Sequence, residues 1–174
     1  TRLHSERVRG LSAAIGVGRG LSKIELAILK IAATFRDIGK IGIPDQVLFK
    51  LSQLDEAEWE KMKQHSEIGE RIMAATGLEG SQQASLVIRH HHEHYNGLGY
   101  PDSLSGEEIP IYSRIISIAD SYDAMAVTRS YHDAKPHLEI MAIMHRETGE
   151  KHDPEMMRFF CEIIESSKFK ATKI

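Results

Sequence analysis

The sequence predicts an all-α protein, arranged as a helical bundle around one core. Apolar residues recur at the spacing of a helix face along most of the chain, and two capping motifs mark helix starts. Sustained alternation of apolar and polar residues, the pattern of a half-buried strand, does not occur. A chain of 174 residues can bury a core, so residues 1–174 are predicted to form a single domain.

Two helices are predicted before the first glycine-containing break. The opening segment has a helical pattern, and Ser22 with Glu25 forms a capping box at the start of the second helix. That helix carries an apolar stripe at i, i+3 and i+4 spacing, made of Ile24, Ala27, Ile28, Ile31 and Phe35. Gly39, Gly42 and Pro44 then interrupt the pattern.

The middle of the chain predicts further helices around a turn. Asp55 and Glu58 resemble a second capping box, and helices are expected over about residues 67–76 and 82–94. Residues 96–97 (NG) and 99–101 (GYP) are typical of a turn and a loop. A further amphipathic helix is predicted from the apolar stripe of Ile111, Ile115, Ile118, Tyr122 and Met125.

Two helices are expected in the last third, over about residues 137–147 and 154–164. Gly149 suits the position just after the end of the first of them. Residues 166–174 form a basic segment that is predicted to be a frayed tail.

Composition excludes some functional classes. The net charge is −3, from 22 basic and 25 acidic residues, which is not the basic excess expected of a protein that binds a nucleic-acid polymer. No apolar run approaches the roughly 18–20 residues of a membrane span. The single cysteine, Cys161, cannot form an internal disulfide, so a cytoplasmic location is expected.

A histidine-rich tract, residues 90–94 (HHHEH), points to metal binding. The candidate ligands across the chain are His4, Asp37, His65, His91, His92 and Asp120. Any one of these could be an ordinary surface or core residue, but the carboxylates follow apolar stripes, where an ionised group needs a partner. His90 and His94 are expected to face away, and Asp123 to act as a packing contact rather than a ligand. A mixture of imidazole and carboxylate favours iron, manganese or zinc over calcium and magnesium.

Several segments resemble the HD-GYP domain family of the HD phosphohydrolase superfamily. Residues 37–44 (DIGKIGIP) are similar to the segment after the HD dyad, and 91–101 (HHEHYNGLGYP) to the family's HHE-xx-(D/N)G-x-GYP segment. Residues 62–69, 118–125 and 129–131 resemble the metal-binding histidine segment, the AD-xx-DA helix and the RPY segment. The resemblance covers nearly the whole chain and implies a helical bundle with a metal site between helices and a GYP loop beside it.

The resemblance also implies a function. HD-GYP domains hydrolyse cyclic di-GMP to pGpG or GMP with two or three metal ions, commonly iron or manganese. They are output modules attached to receiver or sensor domains, so this domain is expected to be the C-terminal part of a longer chain. By the same resemblance Asp37 bridges metals, and the ligand set is completed by His65, His91, His92 and Asp120, with His4 matching the ligand of a third metal.

Further roles carried over concern the substrate. Lys40 would act with Asp37 in catalysis and offset charge on the phosphoryl oxygens. Tyr100 matches the loop tyrosine that contacts the nucleotide, and Arg129 matches a phosphate-binding arginine, whose planar fork can bond two oxygens.

The chain departs from the family at Arg36, which stands in place of the metal-binding histidine of the HD dyad. A guanidinium has no lone pair to give a metal, so one to two ions are expected, iron or manganese with zinc possible. His132 is a second departure, where many members carry Lys or Arg. Three hypotheses remain: an altered phosphodiesterase; an inactive domain that binds cyclic di-GMP, with Arg36 pairing directly with a phosphate; and a protein-interaction module.

Overall fold

Helices and irregular connections make up the described part of the chain. The computed structural model describes residues 2–127 and 134–171. The helices, numbered in chain order, are α1 (Arg2–Arg19), α2 (Lys23–Phe35), α3 (Asp45–Leu48), α4 (Glu56–Lys63), α5 (His65–Ala75), α6 (Ser81–Arg89), α7 (Ile111–Ala126), α8 (His137–Arg146) and α9 (Pro154–Ile164). Two short 3₁₀ helices cover Ile38–Gly42 and Gly106–Glu108. The predicted all-α class is therefore confirmed.

The predicted capping motifs begin α2 and α4. Ser22 accepts a hydrogen bond from the Glu25 amide and Glu25 accepts one from the Ser22 amide; Asp55 and Glu58 do the same. Each pair satisfies two of the amides that a helix start leaves without a partner. Gly149, just after α8, has a φ of +86°, as predicted for its position.

The core lies where α1 packs against α2, α7 and α9. Its apolar side chains come from all these helices and include Val8, Leu11, Ile15, Leu29, Ile115, Ile118, Met156 and Phe160, which are fully buried. Helix α6 packs against α2 and α5, and so links this core to the second part of the bundle. Helix α1 is thus surrounded by α2, α7 and α9. Polar residues on α1 and α7 can therefore face into the molecule.

The buried face of α2 differs from the predicted stripe. Its buried side chains are Leu29, Ala32 and Ala33, whereas Ile24 is 75% exposed and Phe35 44% exposed. The helix is apolar on several faces, and the one with alanines lets the α1 and α6 backbones approach closely. The apolar periodicity therefore identified the helix, but the residues of the stripe are not the ones most buried in the core.

The predicted helix over residues 82–94 is too long. Helix α6 ends at Arg89, and His90 has φ −101° and ψ 11°, outside the helical region. Residues 90–92 form a turn, so His91 and His92 are not successive residues of a helix. Helix α5 begins earlier than predicted, which places His65 in its first turn.

The described part of the C-terminal segment is held against the bundle, which differs from the expected frayed tail. The carbonyl oxygen of Phe169 accepts a hydrogen bond from Arg7, and the amide of Ala171 donates one to the Tyr122 hydroxyl. The Phe169 ring lies over Gly10, where an added Cβ would be 2.4 Å from it. None of the described helices has the length and apolar character needed to cross a bilayer.

Candidate metal centre

Three histidines converge between α5 and the turn that follows α6. One ring nitrogen of each of His65, His91 and His92 lies within 4.8 Å of a nitrogen of both others. His65 is 2% exposed and His91 is 2% exposed, so these two rings lie inside the bundle. Their ring centroids are 5.4 Å apart, and those of His91 and His92 are 4.0 Å apart.

Backbone carbonyls orient two of these rings. Nδ1 of His65 lies 2.7 Å from the Met62 carbonyl oxygen, and Nδ1 of His91 lies 2.6 Å from that of Ile88. Since a carbonyl only accepts, each Nδ1 carries the proton and each Nε2 keeps a lone pair. Both Nε2 atoms are buried, and neither has a hydrogen-bond partner among residues 2–127 and 134–171.

Burial keeps all three imidazoles neutral. It lowers the pKa of His91 to about 4, helped by the neighbouring His65, and lowers the pKa of His65 and, more strongly, of His92. Neutral imidazole is the form that binds a metal. A buried polar nitrogen normally has a bonding partner, and a metal ion can be that partner. Three converging lone pairs therefore fit one transition-metal ion.

The 3₁₀ turn at residues 38–42 brings Asp37 to this site. An added Cβ at Gly39 would lie 1.9 Å from the His65 carbonyl oxygen and 2.5 Å from the Gly69 amide nitrogen. Only glycine allows the turn to approach the start of α5 so closely. As a result Oδ1 of Asp37 lies 3.9 Å from Nε2 of His65.

Arg36 occupies the space between the two carboxylates of the site. Its side chain is fully buried, and its Nη2 lies 2.9 Å from Oδ1 of Asp120 and 3.1 Å from Oδ2 of Asp37. Nε lies 3.1 Å from the same Asp120 oxygen, and Nη1 donates to the Ala33 carbonyl at 3.0 Å. This geometry leaves no exposed guanidinium face, which differs from the expectation that Arg36 pairs directly with a phosphate.

Asp120 also meets α1. Nε2 of His4 lies 3.1 Å from Oδ1 of Asp120, and Nδ1 of His4 lies 2.7 Å from Oδ2 of Asp123. Arg7 donates to the other Asp123 oxygen at 2.5 Å. Burial lowers the pKa of His4, but the two carboxylates outweigh it, so the pKa is raised. Asp123 thus orients His4.

The two carboxylates at the centre stay ionised. Burial alone would raise the pKa of Asp37, yet Arg36 and Lys40 hold it far below its ordinary value. Burial acts in the same way on Asp120, and Arg36 and His4 lower the pKa of that carboxyl. Lys40 contacts Asp37 at 2.6 Å and is 40% exposed in its side chain, so it can also reach solvent.

An aromatic wall borders the three histidines. Tyr100 stacks on His92 with ring centroids 4.9 Å apart and an interplanar angle of 25°, and Trp59 meets the Tyr100 ring edge-on at 6.0 Å. Nζ of Lys63 lies 5.9 Å from the Tyr100 centroid. Burial raises the pKa of the Tyr100 phenol, which therefore remains a hydrogen-bond donor. Sequence reasoning missed Trp59 and Lys63; the available signal was a tryptophan on an otherwise polar helix.

The loop that carries Tyr100 is fixed at Asp102. Arg89 donates two hydrogen bonds to its carboxylate, at 2.6 and 2.7 Å, and Nε2 of His90 lies 2.8 Å from it. These contacts lower the pKa of Asp102 to about 2, chiefly through Arg89. The Asp102 amide donates to Glu93 at 2.7 Å. His90 and Glu93 thus position the loop, a role that the sequence did not indicate.

A cavity of about 220 Å³ opens beside the histidines. Its walls include Asp120, Ser121, Glu147 and Lys151. His94 also lines it, which differs from the expectation that this residue faces away. Of the predicted site residues, the structure brings together Arg36, Asp37, Lys40, His65, His91, His92, Tyr100 and Asp120, with His4 at their edge. Arg129 and His132 lie outside the described residues.

Comparisons with known proteins agree with this picture. The family model described as HD domain matches residues 2–156. A cyclic di-GMP phosphodiesterase of Thermotoga maritima is 39% identical over 163 residues, covering 94% of this chain and 44% of the relative. The 3'3'-cGAMP-specific phosphodiesterase 2 of Vibrio cholerae is 34% identical, over 93% of this chain and 31% of its own length. The chain thus spans less than half of these relatives.

A solved structure shows the same fold. Bd1817, a HDG"Y"P protein from Bdellovibrio bacteriovorus, superposes with a TM-score of 0.72 at 20% identity, covering 94% of this chain and 52% of that one. At this identity the likeness concerns the fold alone. Together with the family match, it confirms the helical HD fold expected from the sequence.

Proposed function

The chain belongs to the HD domain family, and from this premise we propose that it is a metal-dependent phosphodiesterase domain whose substrate is cyclic di-GMP. One observation carries the proposal: the buried Nε2 atoms of His65 and His91 converge without a hydrogen-bond partner in the described part of the chain. Buried ring nitrogens whose lone pairs converge within reach of one ion are the donors expected of a metal centre.

The relatives favour a cyclic dinucleotide as the substrate. Curated proteins that align with almost the whole chain are named as phosphodiesterases of cyclic di-GMP or of 3'3'-cGAMP. Both molecules present a phosphodiester ring and purine bases. We therefore propose cyclic di-GMP as the preferred substrate and 3'3'-cGAMP as the first competitor to test.

His65, His91 and His92 would hold the metal, which we propose is iron or manganese; zinc also suits three imidazoles. When bound, a divalent cation here would polarise a phosphoryl oxygen and lower the pKa of a coordinated water. Asp37, whose Oδ1 lies 3.9 Å from Nε2 of His65, adds a carboxylate beside this set.

The chain's own residues would bind and orient the substrate. Lys40 is part-exposed beside Asp37, so its ammonium can turn to a phosphate that enters the site. The Tyr100 hydroxyl stays protonated and can donate to a phosphate or sugar oxygen. The exposed part of Trp59 beside Tyr100 offers a surface on which a purine can stack. By the resemblance, Arg129 would add a phosphate contact.

A second candidate function rests on Arg36. By the resemblance, this residue takes the place of a metal-ligating histidine, and its guanidinium is buried against Asp120. The domain could therefore bind cyclic di-GMP without hydrolysing it and act as an output module. In either case a receiver or sensor domain, in the same chain or in trans, would supply the signal.

The test is hydrolysis of cyclic di-GMP by protein reconstituted with iron under anaerobic conditions or with manganese. Chromatography would separate pGpG and GMP, and 3'3'-cGAMP would be assayed in parallel. We expect turnover that a chelator abolishes and that His91→Gln removes. Arg36→His, assayed beside the wild type, shows how much activity the missing imidazole costs.

Binding is measured separately by calorimetry. If the wild type binds cyclic di-GMP without hydrolysing it and Arg36→His hydrolyses it, the phosphodiesterase hypothesis is rejected for this chain. The hypothesis of an inactive domain that binds cyclic di-GMP is then supported. Failure to bind metal or nucleotide under every condition would exclude both functions and leave the interaction module.

A further inference from the structure

We infer that this domain holds a single metal ion and that the guanidinium of Arg36 replaces a second one as a fixed internal cation. The inference rests on the proposed function and specifies its metal centre. It is drawn from the position of one guanidinium nitrogen between two carboxylates, and from the separate cluster of three imidazoles.

The first step is the geometry of the donors. Three neutral imidazoles lie within reach of one ion, and two of them have a buried nitrogen that bonds to nothing in the described part of the chain. The carboxylates are in a different state. Oδ1 of Asp120 accepts a hydrogen bond from Nε of Arg36 and lies 3.1 Å from Nε2 of His4. Asp37 forms an ion pair with Arg36 through one oxygen and with Lys40 through the other. The imidazole cluster therefore has lone pairs free for an ion, whereas three of the four oxygens of the two carboxylates already face a cation or His4.

The second step is charge. Asp37 and Asp120 contribute two negative charges, and Arg36 and Lys40 contribute two positive ones, so the carboxylates are already compensated. An ion placed between them would meet a guanidinium that cannot lose its proton. Like charges at contact distance in a poorly solvated site repel each other strongly. Binding a second ion would therefore require Arg36 to leave.

The third step is that Arg36 cannot easily leave. Its side chain is fully buried, and it is tied to the Ala33 carbonyl as well as to the two carboxylates. Its backbone remains helical, with φ −50° and ψ −36°, at the end of α2. Lys40 differs, because its side chain is 40% exposed and can turn to solvent. Arg36 is thus a fixed charge and Lys40 a movable one.

The arrangement gives Arg36 a positioning role and not a catalytic one. It holds Asp37 and Asp120 ionised and in place beside the single ion, and it does so without a metal. A phosphate that approaches the site meets the three-histidine ion and Lys40, while Arg36 acts on it only through the carboxylates.

The experiment is a count of bound metal in the whole domain. Apoprotein is loaded with excess Mn²⁺, desalted, and analysed by inductively coupled plasma mass spectrometry. We expect one ion per chain in the wild type and two in Arg36→His. Arg36→Gln removes the charge without adding an imidazole, so it is expected to bind a second ion, but more weakly than Arg36→His does. Circular dichroism checks that each variant is folded.

Electron paramagnetic resonance of the Mn²⁺-loaded wild type gives a second readout that needs no variant. An isolated ion gives a six-line hyperfine signal, whereas two close ions couple and change it. Two ions or a coupled spectrum in the wild type would overturn the inference. So would a single ion in folded Arg36→His, because Arg36 would then not be what excludes the second one. A folded wild type that binds no ion would remove the proposed metal-dependent function itself, which is a distinct outcome.

Discussion

Two nitrogens of the Arg36 guanidinium contact Oδ1 of Asp120. Nε donates a hydrogen bond to it at 3.1 Å, and Nη2 lies 2.9 Å from it as an ion-pair contact. Neither partner is a surface residue: the Arg36 side chain is fully buried and that of Asp120 is 23% exposed. A buried ion pair of this kind adds little net stability over an apolar pair, but losing one partner leaves an uncompensated charge. The pair is therefore best tested one side at a time.

Asp120→Asn should destabilise the metal-free domain by about 3 kcal/mol, because Arg36 keeps its buried charge and loses half of its compensation. Arg36→Met should also destabilise it, since Asp37 and Asp120 then lie close together without the cation that separates them. Urea unfolding at pH 7 with a chelator present measures both effects.

The double variant provides the control. With both partners neutral, its loss of stability should be smaller than the sum of the two single losses by at least about 1 kcal/mol. If the loss of unfolding free energy in the double variant equals the sum of the two single losses to within about 0.5 kcal/mol, the two side chains do not interact energetically.

The local signals in the sequence predicted the fold class and pointed to the three histidines that converge in the structure. Capping boxes at Ser22 and Asp55 depend on residues three apart, so they can be found without knowing the fold. His65, His91 and His92 were found because they cluster in the sequence or match a family motif.

The missed features depend on tertiary contacts. The predicted face of α2 was wrong because the helix is apolar on several sides and packing selected the alanine side. His94 lines the cavity because the chain leaves the helix after Arg89, and a helical pattern cannot reveal that exit. The burial of Arg36 could not be predicted from the sequence either, because Asp120, the carboxylate with which it pairs, is 84 residues away along the chain.

Trp59→Ala should weaken cyclic di-GMP binding by about 5- to 100-fold, the range expected for the loss of one stacking contact. The ring partner of Trp59 is Tyr100, which is not a candidate metal ligand, so the metal content should not change. Calorimetry and metal analysis measure the two quantities. Trp59→Phe keeps an aromatic face and should recover most of the affinity; equal affinities of Ala and wild type would exclude a stacking role.

Gly99→Ala should move the loop that carries Tyr100. An added Cβ would lie 2.2 Å from the His94 amide nitrogen and 2.5 Å from the His92 carbonyl oxygen, and backbone cannot yield as a flexible side chain does. We expect a loss of about 1–3 kcal/mol in unfolding free energy. Trp59, the one tryptophan of the sequence, contacts Tyr100, so its fluorescence should change as well.

Gly18→Ala is the matched control. Its added Cβ would meet only Phe159 and Ile163 at 3.7 and 3.8 Å, ordinary contact distances, on an exposed part of α1. It should leave the fluorescence unchanged and raise stability by up to about 1 kcal/mol. If Gly99→Ala changes stability and fluorescence as little as Gly18→Ala does, the close approach of Gly99 to the backbone of His92 and His94 would be contradicted.

His152 should make the domain less stable as the pH falls. Its side chain is buried, and its Nε2 lies 3.3 Å from Oε2 of Glu147 without forming a hydrogen bond. Burial, with smaller effects of Lys151 and His94, lowers the pKa of His152 to about 3 despite this carboxylate. The unfolded chain takes up this proton near pH 6.5, whereas the folded one does so only near pH 3. The contribution of neutral His152 is therefore complete above about pH 6.5 and is lost as the pH falls towards 3.

His152→Leu, which has no proton to gain, should remove this part of the pH dependence. Between pH 6.5 and 4 the wild type should lose up to about 1.4 kcal/mol per pH unit relative to the variant. Urea unfolding with a chelator present measures the difference and keeps metal binding out of it. His145→Gln, on the exposed side of α8, is the control and should follow the wild type. Parallel curves for His152→Leu and wild type would mean that His152 is protonated equally in both states.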